Sequence, residues 1–105
     1  MEEDFKELTE DAEILKALSH PVRLCIVKGL WRRGSCNVSH MQHCLQVPQS
    51  TLSQHLQKLK AAGLIQGVRN GLEIQYTLCH PKVVRILQVL FKKSGSEPFG
   101  KESSS

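Results

Sequence analysis

The stretch Val47-Pro48-Gln49-Ser50-Thr51-Leu52-Ser53-Gln54-His55-Leu56-Gln57-Lys58-Leu59-Lys60-Ala61-Ala62-Gly63 decides the fold. Leu52, Leu56 and Leu59 recur at the i, i+4, i+7 spacing that sets them on one helix face. At about 100° per residue, Ser50, Gln54, Gln57 and Ala61 fall on the opposite face, with Ser53 and Lys58 flanking it. Pro48 suits the start of a helix and Gly63 its end, so the spacing predicts a helix over about 49–62. No acid occurs between Glu13 and Glu73. A face of Gln, Ser, Thr and Lys without carboxylates suits a polyanion that also displays base edges. Gln can bridge adenine, Ser and Thr can bond phosphate or base, and Lys neutralises phosphate. An ordinary amphipathic surface helix has the same pattern, so the neighbouring segments decide between the two.

Upstream, Asn37 is a good N-cap for a short helix, Val38 to Gln46, with Val38, Met41 and Leu45 as its apolar face. Only Val47 to Gln49 separates it from the next helix. Two short helices joined by a tight turn, the second polar on its outer face, make a helix-turn-helix. Downstream, Leu64 to Val68 reads as a strand and Arg69-Asn70-Gly71 as a hairpin turn, Asn-Gly supplying the positive φ values. Leu72, Ile74, Tyr76 and Leu78 then alternate with Glu73, Gln75 and Thr77, the pattern of a half-buried return strand. A basic-tipped hairpin over about 64–79, following such a helix, is a wing. Ser35-Cys36 offers a minimal edge strand.

Further out, Glu2 to Ser19 carries Phe5, Leu8, Ala12, Leu15 and Leu18 in a helical period, with acids crowding its start. Ser19-His20-Pro21 breaks that helix and opens a second, Val22 to Arg33, which Gly34 ends. Val22, Leu24, Cys25, Ile26, Val27, Leu30 and Trp31 make the second helix apolar around much of its circumference, so it is expected to be central and buried. Pro81 opens a last helix to about Lys93. Its Val83, Val84, Ile86, Leu87, Val89, Leu90 and Phe91 exceed what one small core needs, and the surplus predicts a homodimer seam shared with the first helix. The expected fold is mainly α with a small β-hairpin, a homodimeric winged helix-turn-helix over residues 1–93. Gly, Ser, Glu and Pro dominate 94–105, which reads as a disordered tail.

At 105 residues the chain has room for one domain and one core. Its net charge is +4, unevenly spread. Seven of the ten acids lie in the first 13 residues beside a single base, Lys6, which leaves thirteen bases against three acids in the rest. A basic body with an acidic first helix fits nucleic-acid binding. There is no apolar run of membrane-spanning length, and the acidic N-terminus is not a signal peptide, so a cytoplasmic protein without membrane contact is expected. Paired carboxylates in the body, a Ser-His-Asp arrangement and a phosphate loop are all missing, which argues against an enzyme. A winged helix that instead holds a protein partner would need apolar anchors or acids on the outer helix face, and neither is there.

The order and the motifs resemble the ArsR/SmtB family of winged-helix repressors. The residues that carry the resemblance are Leu18-Ser19-His20-Pro21-Val22-Arg23-Leu24, Pro48 to Leu56, Leu59, Gly63-Leu64-Ile65 and Gly71 to Leu78, across residues 10–92. Within the family, the Pro48–Leu56 and Gly71–Tyr76 segments look most like metal-independent repressors of virulence genes in bacilli. The resemblance implies a homodimer joined through its first and last helices, an inverted-repeat operator, and repression relieved by ligand. It places Gln49, Ser50, Thr51, Ser53, Gln54 and Gln57 in the major groove, Lys58 on phosphate, and Arg69 and Asn70 on flanking DNA. Two metal sites known in the family lack their ligands here. The Cys-x-Cys positions are Asn37 and Ser39, and the Asp-x-His positions are His80 and Lys82. Neither a metal nor another cofactor is expected.

Four cysteines in an intracellular chain suggest reduced thiols, metal ligands or redox sensors. Cys36, His40 and Cys44 are spaced by four with His43 adjacent, which sketches a soft-metal cluster. The favoured reading makes Cys36 and Cys44 small core residues and leaves His40 and His43 solvated. Cys25 is expected in the core. Cys79, beside His80, is the expected exposed thiol and the candidate for a redox switch. Resemblance to redox-responsive family members points to Cys25 as its second thiol. His20 is read as joining two helices, His55 as structural and Trp31 as core.

Overall fold

The computed structural model describes residues 2–91, with side chains from residue 4 onward. Five helices and a three-stranded antiparallel sheet follow in the order α1 (Glu2–Leu18), α2 (Pro21–Arg33), β1 (Cys36–Asn37), α3 (Val38–Leu45), α4 (Gln49–Ala61), β2 (Ile65–Asn70), β3 (Glu73–Leu78) and α5 (Pro81–Phe91). The strands lie in the order β1-β3-β2. The expected tail, 94–105, lies outside the described residues, as do the last residues assigned to α5.

Each helix end has a local cause. His20 opens α2 by accepting the Val22 N–H on Nδ1 at 3.1 Å, with Pro21 at the first turn. Asn37 caps α3, its Oδ1 accepting from the His40 N–H at 2.8 Å. Helix α4 closes on Gly63, whose N–H meets the Lys60 carbonyl at 2.9 Å and whose φ of 78° turns the chain back toward the helix end. The Leu64 N–H then reaches the Leu59 carbonyl at 3.0 Å. Leu59 and Leu64 are both fully buried, so this end-turn is pinned by packing as well as by hydrogen bonds.

Apolar burial is the main source of cohesion. Val27 and Leu30 of α2, Leu52 and Leu59 of α4, Leu64, and Val83 and Leu87 of α5 are fully buried around one centre. A side chain of this kind contributes about 1.5–3 kcal/mol when it leaves water. The leucine spacing of the deciding stretch is thus the inner face of α4.

Several expectations need correction. Helix α1 buries Ile14, Ala17 and Leu18, whereas Phe5, Leu8 and Leu15 of its expected stripe face outward. Among the described side chains, the buried ones of α1 all lie within Ile14–Leu18, at its C-terminal end. Helix α2 buries Ile26, Val27 and Leu30, but Cys25 is exposed, being on the far side from those residues. Cys44 is exposed too, not a core residue.

The first arm of the hairpin also runs two residues past the expected Val68, to Asn70, and starts at Ile65. Asn70 pairs with Glu73, so the turn is Gly71-Leu72 and Asn70 ends β2. Gly71 alone takes positive φ, at 70°. Leu72 projects from that turn fully exposed and Ile74 is about one-third exposed, so burial in β3 is deepest at Tyr76.

Candidate nucleic-acid interface

Helix α3 leads into α4 through Gln46, Val47 and Pro48, with Gln46 in the left-handed region at φ 56°. With Leu52, Leu56 and Leu59 held in the core, Gln49, Ser50, Ser53, Gln54, Gln57 and Lys58 stand on the solvent side. Thr51 is half-buried at the edge of that face. Among the described residues, no intramolecular hydrogen bond takes up the side chains of Ser50, Ser53, Gln54 or Gln57. Their donors and acceptors are available to a ligand. Lys58 and Lys60 occupy the last turn, and no acid lies in the first.

The start of α4 differs from the starts of α2 and α3. Its N-cap is Pro48, and no side chain caps the helix, whereas α2 and α3 are capped by His20 and Asn37. The first N–H groups of α4 therefore point outward unsatisfied at the positive end of the helix dipole. That is where a phosphate oxygen binds well. The missing Ser, Thr, Asn or Asp at position 48 was the available signal.

The inner edge of α4 is fixed by a polar clamp. Arg23 donates from Nε to the Ala17 carbonyl at 2.6 Å and from Nη1 to His55 Nδ1 at 3.1 Å. An arginine only donates, so His55 Nδ1 is the acceptor. The His55 ring also lies against His20, centroids 4.5 Å apart and planes tilted by 50°. Burial, followed by the positive charges of His20, Arg23 and Lys58, holds the His55 pKa below its ordinary value. His55 is structural, and it ties α4 to the α1–α2 corner.

The wing is anchored along β3 as far as Glu73, the residue that follows its turn. Asn37, besides capping α3, donates from Nδ2 to Glu73 Oε1 at 3.2 Å, and β1 pairs with β3 through Cys36–Tyr76 and Asn37–Gln75. At the tip Arg69 and Asn70 are exposed, and Arg69 Nη1 donates to the Gly71 carbonyl at 3.2 Å. That bond curls the guanidinium over the turn. An exposed polar helix and a basic hairpin tip thus belong to one connected unit.

The Helix-turn-helix domain model matches residues 18–68. The transcriptional repressor PagR of Bacillus anthracis is 42% identical over 87 residues, covering 83% of this chain and 87% of PagR. The crystal structure of PagR superposes with a TM-score of 0.76, over 82% of this chain and 98% of PagR. The chain belongs to the ArsR/SmtB family of winged-helix transcriptional repressors. The repressor SmtB of Mycobacterium tuberculosis is 43% identical over 75 residues, covering 71% of this chain and 55% of SmtB. The crystal structure of the repressor BigR from Xylella fastidiosa is 34% identical, with a TM-score of 0.75, over 88% of this chain and 94% of BigR.

Cys79 is exposed, as expected, and its Sγ reaches the Gly63 carbonyl at 3.5 Å. Its neighbour His80 does not serve it: His80 Nδ1 accepts the Lys82 N–H at 3.3 Å, at the start of α5. Cys25 lies elsewhere, lining a cavity together with Cys36 and Cys44, so the two residues singled out as a redox pair are not brought together. Among the described residues, no three His, Cys, Asp or Glu side chains are grouped so as to hold a metal ion.

Proposed function

We propose that this chain is a cytoplasmic, homodimeric repressor that reads an inverted-repeat operator. Helix α4 enters the major groove, where Gln49, Ser50, Thr51, Ser53, Gln54 and Gln57 meet base edges and nearby backbone, and Lys58 neutralises a phosphate. Arg69 and Asn70 lie on the flanking backbone or minor groove. One observation carries this reading: the acid-free, unengaged outer face of α4 next to an uncapped helix N-terminus.

Dimerisation is supported by the apolar side chains that the single chain leaves in water. Phe5, Leu8 and Leu15 of α1 and Val89 and Leu90 of α5 are each more than half exposed. The two helices are already linked by an exposed Lys82–Asp11 ion pair at 2.7 Å. Two copies of α4 related by a two-fold axis should sit about 34 Å apart, one turn of duplex.

The test is duplex-DNA binding as a function of salt, on reduced, oxidised and metal-loaded protein. Steep weakening with salt is expected of a protein that displaces counterions from phosphates. Failure to bind any duplex at low salt would remove the reading.

A further inference from the structure

Three of the four cysteines in the chain meet around one cavity on the side of the molecule built by α2 and α3. Cys25 and Gly29 of α2, Cys36 of β1, and His40 and Cys44 of α3 line a space of about 120 Å³. The rest of the wall is aliphatic apart from Arg33, the single charged side chain there. Cys25 and Cys44 are exposed and Cys36 is buried, so the cavity runs inward from solvent. The Cys44 Sγ lies 3.5 Å from His40 Nε2, within reach of proton transfer to the ring.

Gly29 adds an independent observation. It sits in the interior of α2, where glycine is less favourable than alanine, and a Cβ placed on it would meet nothing within 4 Å. No crowding requires glycine there. What it provides is open volume beside the thiols.

Ligand chemistry follows from the wall. The thiols and imidazole ring the space without converging as a metal group, which disfavours chelation. The nearly apolar lining disfavours ions. What remains is a small, soft, uncharged molecule that a thiol can attack. Cys36 is poorly suited to attack, because burial pushes its pKa up, with Arg33 only partly opposing.

We propose that this cavity captures small uncharged α,β-unsaturated carbonyl compounds, with Cys44 as the nucleophile and His40 as its proton acceptor. His40 Nε2 takes the thiol proton while Sγ forms a bond to the β-carbon, and the C=C electron pair shifts onto the carbonyl oxygen. The enolate then recovers the proton from the imidazolium at its α-carbon. No group leaves and no electrons are gained or lost. Because α3 leads into α4 through only Gln46–Pro48, an adduct wedged between α2 and α3 tilts the helix that presents the DNA-binding face. This consequence, unlike the capture itself, rests on the repressor reading.

The test treats the reduced, full chain with N-ethylmaleimide and maps the labelled peptides by mass against time. Cys44 should be alkylated about tenfold or more ahead of Cys79, which is also exposed, within what a positioned proton acceptor supplies. His40→Ala should abolish that lead, and Gly29→Leu, which fills the cavity, should slow Cys44 without changing Cys79. A Gly29→Leu chain that unfolds would expose Cys36 to label at once, in which case His40→Ala alone decides. Equal rates at Cys44 and Cys79 overturn the site, as does a lead that survives His40→Ala. Oxidation of these thiols by a hydroperoxide without maleimide capture also overturns it. Titration of the same samples with mixed-sequence duplex at low salt should show that Cys44-alkylated protein releases DNA and that maleimide-treated Cys44→Ser does not. Full retention by the adduct overturns the coupling. Unlabelled protein that binds no DNA would remove the repressor reading, while the labelling rates still decide the capture site.

Discussion

Gly67 sets the register of the wing. It stands opposite Tyr76, and a Cβ on it would lie 2.8 Å from the Ile74 Cγ2 and 3.1 Å from the Tyr76 Cε1. Tyr76 can lie flat across β2 only because position 67 has no side chain, and this pairing in turn fixes Asn70 opposite Glu73. Gly67→Ala should destabilise the fold by about 1–3 kcal/mol through overpacking, seen as a lower denaturation midpoint with an unchanged slope. An unchanged midpoint would mean that Ile74 swings aside at no cost. A different kind of residue effect is expected at Gln54, which makes no internal hydrogen bond. Gln54→Ala should leave stability alone, cost about 1–3 kcal/mol in operator affinity and relax preference at one base pair. Selection of binding sites from a random pool would show it, and an unchanged site would remove Gln54 from base reading. The turn shows where sequence legibility stopped. Arg69-Asn70-Gly71 contains a good hairpin dipeptide, and only the cross-strand fit of Tyr76 over Gly67 shows that the loop begins at Gly71.

At the scale of elements, what could be read depended on whether a pattern had one partner or several. Asn37 announced the start of α3, and the Leu52, Leu56, Leu59 spacing announced the inner face of α4, since both are local signals. Helix α2 was harder. Apolar residues surround it, so its sequence does not say which side its neighbours leave bare, and Cys25 proved to be on that side. The absence of a cap on α4 is legible in sequence, since a helix that begins at Gln49 puts Pro48, which has no side-chain acceptor, at the cap position. The wing supports a prediction of its own, because Asn37–Glu73 ties its turn end to the start of α3 while Arg69 stands exposed beside that turn, its guanidinium on the Gly71 carbonyl. Arg69→Ala should weaken binding to all duplexes alike and reduce the salt slope by about one phosphate contact. A changed sequence preference with an unchanged slope would show that the wing reads bases instead.

For the whole molecule, two properties depend on how the parts are joined. The first is acid sensitivity. His55 is held neutral where α1, α2 and α4 meet, with its pKa below the ordinary 6.5. The unfolded chain therefore takes up this proton before the folded one does. Stability is full above about pH 6.5 and falls as the pH drops below it, until the folded His55 is itself protonated. His55→Gln should flatten that limb in denaturation measured from pH 8 to 5, and an unaltered limb would assign the loss to other groups. The second property is assembly. Leu8 is 63% exposed on α1, among Glu7, Glu10 and Asp11, and the apolar Val89 and Leu90 are exposed on α5. A side chain this exposed contributes little to the single chain, so Leu8→Glu should leave its fold intact. In a seam between two copies, however, it would bury a charge beside other carboxylates, a cost of several kcal/mol that the interface cannot offset. The variant should sediment as a monomer with native circular dichroism. Its affinity for a two-half-site duplex should fall toward that of one recognition helix, because the second contact is no longer tethered to the first. A Leu8→Glu protein that stays dimeric would move the seam away from the N-terminal half of α1, leaving α5 to carry it.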